Sequence, residues 1–134
     1  MKNRIALIQP YFGSFPNYFP LHLISISKNP DITWLFFTDD GENYQWPENC
    51  KVIYMTFQEI SEFIQSKFDF EISLERPYKL CDFKPAYGYI FAEYLDGYDF
   101  WGHCDVDVLW GDMRKYFTDD ILDNNDFLFR TGHF

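Results

Sequence analysis

Asp105 and Asp107 are the residues of this sequence whose type and spacing most directly offer chemistry. They stand one residue apart at the end of an apolar stretch, 98–104, and Val108-Leu109-Trp110 follows them. Residues i and i+2 of an extended chain point the same way. The spacing therefore predicts two carboxylates on one face at the carboxyl end of a strand. Such a pair is costly to bury unpaired and well placed to share a cation. Hard oxygen ligands this sparse suit Mg²⁺ or Mn²⁺, which keep waters and take further ligands from substrate phosphates. A solvated turn or a helix cap is the competing account of an Asp-x-Asp pair. The apolar approach through Phe100-Trp101 weighs against it.

The elements that must position this pair read as an α/β alternation. An apolar run at 4–8, closed by Gln9-Pro10, predicts a central parallel strand, and Gly13, Ser14 and Pro16 make 11–17 a loop at its carboxyl end. A helix is expected over 17–28, with Phe19, Leu23 and Ile26 on its inner side and Pro20 in its first turn. A second buried strand is expected at 32–38, a polar loop at 39–49 and a third strand at 51–55. Thr56 and Glu59 form a capping box that opens a helix reaching about residue 68. After an irregular 71–79, Asp82 is expected to cap a helix ending at Gly97, with Tyr87, Ile90, Phe91 and Tyr94 inward. A strand at 98–104 then delivers Asp105 and Asp107. A short helix at 111–117 and a last strand at 126–130 complete the pattern. This alternation predicts an αβα sandwich with a mostly parallel central sheet.

Composition bounds the partners. The 134 residues suffice for one domain with a real core, and 22% are aromatic. A net charge of −10 argues against a nucleic-acid partner. Cys50, Cys81 and Cys104 are odd in number and lack metal-site spacing, so reduced thiols are expected. The apolar run at 5–8 is too short for a signal peptide or a membrane span, which points to a cytoplasmic protein.

The stretches KLCDFKPAYG and DVDVLWGD, with the IALIQPYFG and FFTDD stretches before them, carry a family resemblance. Together they resemble the nucleotide-sugar part of GT-A glycosyltransferases, and most closely the bacterial capsular-polysaccharide-type glycosyltransferase-like proteins. The resemblance implies a GT-A, Rossmann-like fold. It also implies a nucleoside diphosphate sugar as donor, with a UDP-sugar favoured, and a surface-glycan acceptor. Asp105 and Asp107 would hold Mn²⁺ or Mg²⁺ on the diphosphate. Lys79, Asp82 and Lys84 would reach the diphosphate, the ribose or the donor sugar. Gln9, Tyr11 and Phe12, after the first strand, would seat base and ribose, and so would Thr38 and Asp39 or its neighbour Asp40.

Each of these has a plainer account. The lysines could be solvated, Asp82 a cap, the aromatics core, and Asp39-Asp40-Gly41 a turn. His103 and His133 read as packed or exposed imidazoles. The catalytic base is not assignable. The chain reads as the N-terminal part of a longer protein whose acceptor-binding half, or a second copy, completes it, with a peripheral place at the inner membrane face compatible. Two other classes compete. One is a non-catalytic or truncated GT-A-like scaffold. The other is a haloacid-dehalogenase-type phosphatase, whose Asp-x-Asp stands on the first strand and continues differently from Leu109.

Overall fold

The computed structural model describes residues 2–129. Four strands form one all-parallel sheet: β1 (Ile5–Pro10), β2 (Ile32–Thr38), β3 (Cys50–Tyr54) and β4 (Phe100–His103). Their order is β3-β2-β1-β4. Helix α1 (Phe19–Ser27) links β1 to β2, and α2 (Phe57–Gln65) follows β3. The fold is α/β and Rossmann-like, a sandwich with the parallel sheet in its middle.

β1 pairs with β2 on one side and β4 on the other. A strand covered on both faces has no solvent side, which is why its sequence is an unbroken apolar run and not an alternation. Ile5 and Leu7 join Phe19, Leu23 and Ile26 of α1 in one core layer. Ala6 and Ile8 face the other way, toward Ile60 and Ile64 of α2 and toward Tyr87, Ile90 and Phe91.

The capping box at the start of α2 forms as its sequence predicts. Glu59 N–H donates to Thr56 Oγ1 at 3.0 Å, and Thr56 N–H donates to Glu59 Oε1 at 3.0 Å. Thr56→Ala is expected to cost about 1 kcal/mol. Urea unfolding should show it as a lower midpoint with an unchanged slope. The helix ends at Gln65, short of residue 68. The Gln65 carboxamide there donates to the Phe70 carbonyl at 2.8 Å and accepts Ile72 N–H at 2.9 Å, closing the turn.

Four expectations are corrected. The continuous helix after Asp82 is instead a 3₁₀ segment (Pro77–Ala86), a single α turn, α3 (Tyr87–Ile90), and a second 3₁₀ turn (Ala92–Tyr94). Pro85 is the physical reason: it has no N–H to donate and disfavours α geometry at Lys84. Asp82 lies inside the 3₁₀ segment and caps nothing. Tyr87, Ile90 and Phe91 are nevertheless buried, as is Leu80. Gly88 lets α3 approach β4 closely, because a Cβ at that position would lie 2.5 Å from the Trp101 indole. Gly97, at φ +85°, then turns the chain into β4.

Past β4, the expected helix at 111–117 is a 3₁₀ turn (Met113–Lys115). A helix outside the expected pattern, α4 (Asp119–Asp123), follows it. Thr118 is its N-cap, and Asp119 and Asp120 stand in its first turn. Asp119 accepts the N–H groups of Lys2 and Asn3 at 3.0 and 2.9 Å, which fastens the start of β1 to α4. Residues 126–129 form no strand, and Arg130 lies outside the described residues, as does His133. Leu128 packs on the α1-side core, and Phe127 and Phe129 are largely exposed. Cys50, Cys81 and Cys104 are free thiols. Among the described residues no helix is long and apolar enough to cross a membrane.

Candidate functional site

In the strand order β3-β2-β1-β4 the chain builds outward from β1 in one direction and then returns to its other side. The reversal falls between β1 and β4, where Ile8 is in register with His103. Connections leaving the two strands diverge there, and the crevice beyond their carboxyl ends is where open α/β sheets bind ligands. The loops that open into it begin at Tyr11 and at Cys104.

Asp105 stands at that edge, on the α3 side. Its Oδ1 accepts a hydrogen bond from Lys84 Nζ at 3.1 Å, an ion pair in which the lysine is the more sheltered partner. His103, half-buried, lies beside them with its ring 6.3 Å from that of Tyr87. Burial chiefly lowers the His103 pKa. The Lys84 charge lowers it further and Asp105 opposes both. The extended course expected through Asp107 is replaced by a turn at Val106-Asp107, with Val106 buried beneath it and both carboxylates exposed. A turn pivots the second carboxylate out of the first one's alternation. The charge of Asp107 accordingly acts on His22, on the α1 side.

α1 holds this loop from beneath. His22 is fully buried, and its Nδ1 lies 2.6 Å from the Val108 carbonyl, so Nδ1 carries the proton and donates. Burial lowers the pKa of this ring, against the Val108 carbonyl and Asp107. Asn29 Nδ2 donates to the Gly111 carbonyl at 2.9 Å, and Asn29 Oδ1 accepts Met113 N–H at 2.9 Å. No local pattern in the sequence gives His22 or Asn29 a part in this corner. The available signal was a histidine on the inner stripe set by Phe19, Leu23 and Ile26, where an apolar residue would otherwise stand.

Gln9, expected to seat a base or ribose, is buried. Its Oε1 accepts from the Cys104 thiol at 2.9 Å, which ties β1 to the chain leaving β4, and lies 3.2 Å from His22 Nε2. Phe12 is buried too, edge-on to Phe57. Tyr11 is half-buried and stacked on Phe15 at 4.8 Å. Thr38 is fully buried, with its hydroxyl accepting Asp40 N–H at 3.1 Å. Asp39, exposed, accepts Gly13 N–H at 2.8 Å, and Asp40 is buried among three donors. These residues shape the loop between β1 and α1 and fasten it to the end of β2. Lys79 and Asp82 pair with each other at 3.7 Å on the exposed 3₁₀ segment. Of the residues singled out in the sequence, Lys84 and Asp105 are the two directly joined at the crevice.

Asp105 and Asp107 are both exposed and each offers hard carboxylate oxygens of the kind Mg²⁺ and Mn²⁺ take, but the turn sets them on different sides of the loop. They do not fit a caged site: among the described residues no three His, Cys, Asp or Glu side chains gather.

A family model described as a family of unknown function, DUF6625, matches residues 7–134. The chain belongs to this family. The DUF6625 match takes in the crevice residues from Gln9 through Lys84 to Asp105 and Asp107. No curated protein and no solved structure matches the chain.

Proposed function

We propose that this chain is the donor-binding part of a metal-dependent glycosyltransferase that takes a nucleoside diphosphate sugar, with UDP-sugars favoured, and serves a surface-glycan acceptor. The observation that carries the reading is the pairing of Lys84 with Asp105 at the β1/β4 crevice. Transfer breaks the bond between the anomeric carbon and a phosphate oxygen, and negative charge builds on the departing diphosphate. A divalent cation, when bound, neutralises part of that charge. Asp105 and Asp107 supply its protein oxygens, and Lys84 offers an ammonium to the phosphates. His22 and Asn29 hold the chain that follows Asp107, at Val108 and Gly111. On this reading the protein works in the cytoplasm, and the acceptor is bound by other residues, a further segment or a second copy.

A haloacid-dehalogenase-type phosphatase is less well supported. It would need its Asp-x-Asp on the first strand, and β1 ends in Gln9-Pro10. A non-catalytic scaffold shares the donor site and differs only in turnover.

The test is a thermal-shift series with UDP, GDP, CDP and ADP, each with and without Mn²⁺. A ligand that binds only the native state raises the melting temperature. One nucleotide is expected to raise it, only with Mn²⁺, and the effect should vanish in Asp105→Asn/Asp107→Asn. If no nucleotide shifts the transition, or if the double variant shifts like the wild type, the donor-site reading fails.

A further inference from the structure

We propose that Gln9 is a positioning residue that clamps both flanks of the Asp105–Asp107 turn from inside the core, through a carboxamide whose N–H donates to His22 Nε2. The functional meaning of the clamp rests on the donor-site reading above, and the hydrogen-bond chain itself does not.

Gln9 lies near the carboxyl end of β1 and is buried. Its carboxamide meets Sγ of Cys104, the residue before Asp105, at 2.9 Å. It also lies 3.2 Å from Nε2 of His22. Nδ1 of the same ring lies 2.6 Å from the carbonyl of Val108, the residue after Asp107. One side chain thus reaches the near flank of the turn directly and the far flank through a single ring.

Counting hydrogens gives this chain a direction. His22 is fully buried and burial lowers its pKa, so near neutral pH the ring carries one proton. The Val108 carbonyl only accepts, which places that proton on Nδ1 and leaves Nε2 a bare acceptor. With the carboxamide oxygen toward the ring, two acceptors face each other. Gln9 Nε2, buried as well, then has no partner among the described residues. A half-turn of the amide fills the same space and removes both faults, because its N–H now donates to His22 Nε2. The Cys104 sulfur is a weak donor and a weak acceptor, and serves either orientation. The carbonyl takes the direction the nitrogen had, and an under-satisfied carbonyl is the milder fault. Without the amide donor, Nε2 competes for the ring proton. A proton there turns the Nδ1 lone pair on the Val108 carbonyl, and the far flank of the turn loses its hold.

The test is nitrogen-15 NMR of the full chain near neutral pH, reading the protonation of each His22 ring nitrogen, together with amide hydrogen exchange over residues 108–113. The wild type is expected to carry its proton on Nδ1 alone. Gln9→Met, similar in size and without a donor, should lose the single tautomer and exchange these amides about ten-fold faster, the size of one buried hydrogen bond. Gln9→Glu should rescue both: as an acid it donates to Nε2, and as a carboxylate it has passed its proton there, so Nδ1 keeps its hydrogen either way. The nucleotide selected by the thermal-shift series, with Mn²⁺, should raise the melting temperature less in Gln9→Met than in the wild type or Gln9→Glu. A wild-type ring protonated on Nε2, or on both nitrogens, overturns the clamp even if Gln9→Met does not fold. A folded Gln9→Met that keeps the tautomer and the slow exchange, as a merely space-filling glutamine would allow, overturns it too. So does a Gln9→Met with the full nucleotide response. If no nucleotide shifts the wild type, the donor-site reading falls by itself, and the ring and exchange measurements still decide the clamp.

Discussion

Phe36→Ala is expected to destabilise the fold by about 4 kcal/mol, within the usual ~3–5 kcal/mol for emptying an aromatic core position. Phe36 is fully buried near the carboxyl end of β2 and faces α1. Its ring meets Trp46 at 4.9 Å, Phe19 at 5.9 Å and Phe15 at 6.2 Å, all edge-on. Phe15 and Phe19 are stacked on each other at 3.8 Å, so the site is enclosed by stiff rings. Flat, rigid neighbours collapse poorly into a void, and the cavity term is therefore retained. A domain of this size is stable by only about 5–15 kcal/mol. Guanidinium unfolding should place the variant midpoint far below that of the wild type. Ile24→Ala, on the exposed side of α1, should stay within about 0.5 kcal/mol. Similar losses for the two variants would contradict the assignment of Phe36 to the centre of this layer.

Asp40→Asn is expected to cost about 2–3 kcal/mol near neutral pH, as charge-assisted bonds are lost and a buried donor is left unsatisfied. Asp40 is buried, and three donors converge on it. Phe15 N–H and Tyr44 O–H reach Oδ2 at 2.9 and 2.8 Å, and Glu42 N–H reaches Oδ1 at 3.0 Å. Asparagine keeps one acceptor oxygen, so its NH₂ must confront at least one of these donors. Burial pushes the Asp40 pKa up, but the three hydrogen bonds outweigh it and hold the group below the ordinary aspartate value of 3.8.

The sign follows from that direction. With the folded pKa depressed, the unfolded chain takes up the proton first. The stabilisation is complete above the ordinary value of 3.8 and is lost as pH falls through the folded value. Asp119 and Asp123 are depressed in the same sense by their hydrogen bonds, to the Lys2 and Asn3 backbone and to the Asn3 side chain, so the wild type loses stability to acid at more than one place. Urea unfolding between about pH 6 and about pH 3 should show a shallower acid loss in Asp40→Asn than in the wild type. Parallel curves would sink the assignment.

The sequence by itself determined the elements whose cause is local. The apolar run of β1, the buried 32–38 strand and the capping box of Thr56 and Glu59 depend on residues within a few positions of one another. So does the inner stripe of Phe19, Leu23 and Ile26, and each appears in the fold essentially where its pattern lies. The α/β class followed from their alternation. Where local signals conflicted, tertiary structure decided. Pro85 split a helix that the periodicity of Tyr87, Ile90, Phe91 and Tyr94 had made look continuous. Val106, drawn into the α1-side core, turned a chain whose Asp-x-Asp spacing promised two parallel side chains.

The candidate site was legible as a list of residue types and not as an arrangement. The strand order β3-β2-β1-β4 is a long-range choice, and only that order brings the ends of β1 and β4 together to open a crevice. Only the packing of the 3₁₀ segment beside β4 joins Lys84 to Asp105 across 21 positions, while Lys79 is left with Asp82. His22 shows the same division: its helix could be read from spacing, but its task of holding Val108 across 86 positions could not. Residue spacing fixes which side chains share a face of one element. Which faces then meet is set by burying the largest apolar area over the whole chain, and that sum is visible only in three dimensions.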